Sequence, residues 1–162
     1  MSSSMSYEGS GQDPQEMVDQ LNSLLRGEIS ASETYEMAIK KLSDSPSVSM
    51  SHANELRELA ADHEQAAQTL RSRIQDLGGQ PADSSGAWGA WAQTVQGTSN
   101  LFGDRSALKA LKEGEEHGLK DYQQALDDVD ATSRQVIENQ LLPAQERHID
   151  LLDQLINSVG RA

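Results

Sequence analysis

Four stretches of this sequence repeat apolar residues at alternating spacings of three and four, and each is interrupted once, near its middle, by an ionisable side chain. Such spacing keeps one face of an α-helix turned toward a shared core, and four such faces specify a four-helix bundle. The first face carries Met17, Leu21, Leu24, Ala31, Tyr35, Ala38 and Leu42, with Glu28 among them. The second carries Leu56, Leu59, Ala66, Leu70, Ile74 and Leu77 around His63. Leu108, Leu111, Gly118, Tyr122, Ala125 and Val129 flank Glu115 on the third. Ile137, Leu141, Ala144, Leu151 and Leu155 flank His148 on the fourth. No segment alternates apolar and polar residues at period two, so the expected fold is all-α.

Local signals set the boundaries. Asp13 suits an N-cap, Pro14 the first helical position and Glu16 a capping box, and the first helix is predicted to run to about Ser43. A short polar turn containing Pro46 leads into the second helix, from about Val48 to Leu77, stopped by Gly78-Gly79 with Pro81 beyond. The link from roughly Gly78 to Asp104 holds Ala87-Trp88-Gly89-Ala90-Trp91 and a short helix to about Thr98. The third helix spans about Asp104 to Asp128. The fourth runs from near Asp130 to about Val159, and Pro143 is expected to kink it one turn before His148. The short turns predict two antiparallel hairpins, and the long link is able to cross the bundle and join parallel neighbours. Residues 1–12, rich in Ser and Gly, read as a disordered tail, and 13–162 as one domain.

The two halves resemble each other. Gly27-Glu28 is followed by Tyr35 and Ala38, and Gly114-Glu115 by Tyr122 and Ala125, at the same spacing. His63 precedes Leu70 as His148 precedes Leu155. This repeat predicts two hairpins related by a pseudo-twofold axis. Glu28, His63, Glu115 and His148 (all about fourteen to seventeen residues from their turns) then lie roughly 20–25 Å along their helices, in one layer.

A lone buried carboxylate is costly, so such a layer needs imidazolium, hydrogen bonds or a metal. Two carboxylates with two imidazoles suit iron, manganese or zinc better than calcium or magnesium. Glu28, His63, Glu115 and His148 are therefore the candidate ligands of one transition-metal ion; the alternative is a metal-free polar network that fixes helix register. Glu58, Asp62, Glu64 and Glu116 flank the layer and read as solvated, and Gln145 as a hydrogen-bonding neighbour. Tyr35 and Tyr122 read as core residues with satisfied hydroxyls. His52 and His117 fall off the seams and are expected at the surface, and Trp88 and Trp91 are expected to cover an end or side of the bundle.

Composition excludes several classes. A net charge of −13 over 162 residues, without a basic stripe, argues against nucleic acid and against anionic membrane surfaces. The lack of cysteine excludes disulfides, zinc-thiolate sites and thiol nucleophiles. No apolar stretch is long enough to span a bilayer, and the first residues carry no secretory signal. A cytoplasmic protein is the expectation, and a homo-oligomer is compatible with it.

The Gly-Glu…Tyr pattern of the first and third helices, Leu77-Gly78-Gly79-Gln80-Pro81, the Trp-bearing link and the late His148 resemble the ferritin-like superfamily. The likeness is closer to an uncharacterised bacterial family of four-helix bundles within it, and covers roughly Met17 to Leu155. Di-iron members of that superfamily carry one Glu on each of two helices and Glu-x-x-His on the other two. Under the resemblance Glu28 and Glu115 match the single glutamates and His63 and His148 the histidines. The bridging glutamates fall at Ala60 and Gln145, so both are missing, which argues against a coupled di-iron centre and ferroxidase activity. The expected function is a non-catalytic, stress-associated bundle whose degenerate site holds one iron, manganese or zinc ion, or none. The alternative is a structural or protein-interaction bundle without metal.

Overall fold

The computed structural model describes residues 13–46, 48–86 and 90–159, and every regular element among them is helical. Helix α1 (Pro14–Leu42) begins where Asp13 accepts the Gln15 N–H at 3.0 Å. Helix α2 (Met50–Asp76) is capped by Ser49, whose hydroxyl accepts the His52 N–H at 3.2 Å. It ends at Gly78, with φ of +78°, a left-handed conformation that favours glycine. The Gly79 N–H reaches Ile74 O and the Gly78 N–H reaches Gln75 O, both at 2.9 Å, which satisfies the last carbonyls. Helix α3 (Ala90–Phe102) fills the link and outlasts the expected end at Thr98. Helix α4 (Asp104–Ala125) stops one turn short of Asp128.

The last helix is α5 (Ala131–Val136), a π segment (Ile137–Leu141) and α6 (Leu142–Ser158) in unbroken succession. The wider turn is the local response to Pro143, which has no N–H to donate and whose ring crowds the preceding turn. Across the π segment the Leu142 N–H reaches back to Ile137 O. The extra residue also moves the buried face: after Leu141 it continues through Gln145, His148, Leu152 and Leu155, so Ala144 and Leu151 are only partly buried. Similar one-position corrections bring Val18 inward in place of Met17 and Ala67 in place of Ala66.

The core is divided in two. One apolar cluster contains Leu42 of α1, Leu56 of α2, Leu108 of α4 and Leu155 of α6. The other contains Leu21, Ile74, Tyr122 and Ile137. The first cluster therefore gathers the C-terminal half of α1, the N-terminal halves of α2 and α4, and the C-terminal half of α6. That arrangement makes α1 and α2 antiparallel, α4 and α6 antiparallel, and α2 and α4 parallel. The link must travel the length of the molecule, and it does: Ala82 packs on the second cluster and Val95 on the first. Between the clusters, at the same level on all four long helices, lie Glu28, His63, Glu115 and His148, each no more than 5% exposed. Among the described residues no helix is long and apolar enough to cross a membrane.

Candidate metal centre

The four seam residues meet, as the repeat predicts, but not as equals. His63 is the hub: its Nδ1 lies 2.6 Å from Glu28 Oε2 and its Nε2 2.6 Å from Glu115 Oε1. Both ring nitrogens thus face carboxylate oxygens, which a doubly protonated imidazolium satisfies. The two tyrosines close the network across the pseudo-twofold. Tyr35 donates to Glu115 Oε1 at 2.6 Å, and Tyr122 donates to Glu28 Oε1. Each tyrosine serves the glutamate of the other repeat, because α1 and α4 run antiparallel. The Tyr35 ring also stacks on His63 at 5.2 Å between centroids.

Symmetry fails at His148. Its ring tilts against His63 at 4.7 Å, with Nε2 3.0 Å from Asp62 Oδ2 and Nδ1 3.5 Å from Glu115 Oε2. That Nδ1 is buried and has no hydrogen-bond partner among the described residues. Gln145, one turn earlier, donates to Glu115 Oε2 and, at 2.9 Å, to the Glu115 carbonyl. The side chain standing where the resemblance expects a bridging carboxylate is thus a donor to the carboxylate already present. Asp62 keeps its half-exposed position but is more than a solvated residue, since it holds His148. Its counterpart one residue before His148 is Arg147, so the repeat gave no signal for this contact. Glu58, Glu64 and Glu116 are exposed as expected, and His117 too; His52 is half-buried instead. Trp91 donates to Ala110 O at 3.4 Å on the flank of α4, whereas Trp88 lies outside the described residues.

Charge follows from this geometry. Burial alone would depress His63, but Glu115 and Glu28 outweigh it and hold its pKa well above the ordinary 6.5. Burial alone would raise Glu115, but the charge of His63 and the nearness of His148 pull it from 4.5 down to about 2. Burial and the facing glutamates push Tyr35 and Tyr122 well above the ordinary phenol range, so both remain donors.

A pH dependence of stability follows. The folded protein keeps the His63 proton that the unfolded chain loses near pH 6.5, so this contribution is complete below 6.5 and lost as pH rises through the raised value. The Glu115 contribution is present above about 4.5 and lost as pH falls toward 2. In chelator-treated protein the melting temperature should therefore be highest between these limits and decline above pH 6.5. That decline should flatten in His63→Gln. An equal decline in both would place the titrating group elsewhere.

His63, Glu115 and His148 each offer one ligand atom, all within 4.8 Å of one another, so this buried group can hold a metal ion. Glu28 is not in that group; it sits on the far nitrogen of His63. Two imidazoles and a carboxylate suit a borderline divalent ion.

No curated protein and no solved structure matches this chain. The family model described as a domain of unknown function (DUF2383) matches residues 16–128. That stretch runs from α1 through the end of α4 and contains Glu28, His63 and Glu115, while Gln145 and His148 lie beyond it. With well over half of its length matched, the chain belongs to the DUF2383 family.

Proposed function

We propose that this protein is a ferritin-like bundle that binds one divalent transition-metal ion, without catalysing a redox reaction, through His63 Nε2, Glu115 and His148 Nδ1. The observation that carries the reading is the buried Nδ1 of His148, which makes no hydrogen bond among the described residues and lies 3.5 Å from Glu115 Oε2. A buried imidazole nitrogen without a hydrogen bond is costly, and a metal ion removes that cost. Two further contacts support it. Histidine ligands generally have their outer nitrogen held by a carboxylate, a backbone carbonyl or water, and here Glu28 faces Nδ1 of His63 while Asp62 faces Nε2 of His148. In this reading Glu28 orients a ligand instead of serving as one. The ferritin-like assignment is supported by the crossing link and by one glutamate or histidine per long helix at a common level.

One observation favours a second reading, in which the layer stays metal-free: His63 is already satisfied by two carboxylates. The two readings differ in a titration. With metal binding, calorimetry should find one Zn(II) or Co(II) per chain, with proton release as the ion displaces the His63 proton and weaker affinity at lower pH. The melting temperature should rise by mass action. Affinity that is weak, spread over several sites and unchanged in Glu115→Ala and His148→Ala would leave the metal-free network.

Chemistry beyond binding is constrained by the ligand count. Ala60 and Gln145 supply no bridging carboxylate, so aerobic Fe(II) should oxidise no faster with this protein than with its His63→Ala variant. Rapid stoichiometric oxidation by the wild type alone would overturn the non-catalytic reading.

A further inference from the structure

A cavity of about 40 Å³ reaches the polar layer from the seam between α1 and α4; its lining includes Gly27, Glu28, Trp91, Gly114, Glu115 and Asp121. That volume is enough to admit a water molecule. Packing explains two of the three glycines that line it. A Cβ on Gly114 would meet the Trp91 ring at 1.8 Å, and one on Gly118 would meet Gln145 Nε2 at 2.8 Å. Gly27 differs: a Cβ there meets nothing within 4 Å. Glycine inside a helix costs about 1 kcal/mol relative to alanine, and at Gly27 no neighbour demands that cost. Gly27 lines the cavity, and the place its Cβ would take is open space.

The walls also select by charge. Three carboxylates line it, Glu28 and Glu115 at the inner end and Asp121 nearer the surface, against one cation, the His63 ring, and among the described residues no Lys or Arg contributes. Such a passage attracts cations and repels anions. On the opposite side, a larger groove of about 350 Å³ between α2 and α6 is lined by Glu58, Asp62 and Asp150 together with Arg147, and there the His148 ring is held by Asp62 at 3.0 Å.

We infer that the passage between Gly27 and Gly114 is the route by which a divalent cation reaches the Glu115 carboxylate, with Gly27 kept small to hold it open. This rests on the metal-binding reading above and adds a kinetic role for residues that touch no ion. The test is stopped-flow Co(II) binding, and Co(II) release to excess chelator, on wild type, Gly27→Ala and Gly27→Leu. A Glu58→Gln/Asp150→Asn variant controls the opposite groove. Gly27→Ala should melt at or above the wild-type temperature, because alanine is the better helix former. Association and release should both slow, modestly in Gly27→Ala and by about tenfold or more in Gly27→Leu, while equilibrium affinity stays within about threefold because no ligand has moved. The groove variant should keep wild-type rates. Wild-type rates in both Gly27 variants, or slowing in the groove variant instead, would overturn the passage while leaving the site. Failure of the wild type to bind one Co(II) per chain would remove the site and the passage together.

Discussion

Replacing His63 with alanine is expected to destabilise the protein by about 3–5 kcal/mol, the range for removing one partner of a buried ion pair. The imidazole is held between two carboxylates, 2.6 Å from each, and it is only 2% exposed. Without it, Glu28 keeps the Tyr122 hydroxyl, and Glu115 keeps Tyr35, Gln145 and the His148 ring 3.5 Å away. At least one carboxyl must then take up a proton, and a cavity remains beside Tyr35. Denaturant unfolding at neutral pH in chelator measures the loss. The double variant His63→Ala/Glu115→Gln should lose less than the two single losses added, since the glutamine removes one of the uncompensated charges. A His63→Ala loss below about 1 kcal/mol would mean that the imidazole is not the counter-charge of this core.

Metal affinity should be graded by a residue's place around the proposed ion. His148→Ala removes a ligand nitrogen, and Zn(II) affinity should fall by more than about a hundredfold, because two remaining ligands cannot enclose the ion. Glu28→Gln and Asp62→Asn leave every ligand in place and alter only what holds the outer ring nitrogens, which typically costs about 10–100-fold. Asp121→Asn lies outside both groups and should change affinity little. Titration calorimetry across these variants reads the order directly. Equal, small losses in all of them would indicate loose attraction to an acidic surface, at odds with a built site.

The four helices and the level of the polar layer were legible in the sequence because both depend on local spacing. An apolar residue every three or four positions defines a face, and one rise per residue sets how far along that face Glu28, His63, Glu115 and His148 stand. The repeat of Gly-Glu…Tyr even predicted two equivalent halves. Its reciprocal hydrogen bonds, Tyr35 to Glu115 and Tyr122 to Glu28, are what that symmetry implies once the two helices are antiparallel. Pro143 announced a disturbance, but spacing alone did not say that the helix would absorb it as a π turn and bring Gln145 inward.

Which groups pair within the layer was decided only by tertiary structure. All four seam residues look alike in a periodicity, yet His63 takes both glutamates, His148 turns toward Asp62, and Gln145 donates to Glu115. Asp62 lies on the outward side of its helix and carries no sequence mark that separates it from Glu58 or Glu64. The physical reason is the range of the interactions. Helix formation and amphipathicity depend on neighbours within a turn or two, so they are written in short stretches of chain. Hydrogen bonds and charge pairing at 2.5–3.5 Å between residues 30 to 86 positions apart depend on how four packed helices are rotated against one another. That rotation is set by the whole core at once.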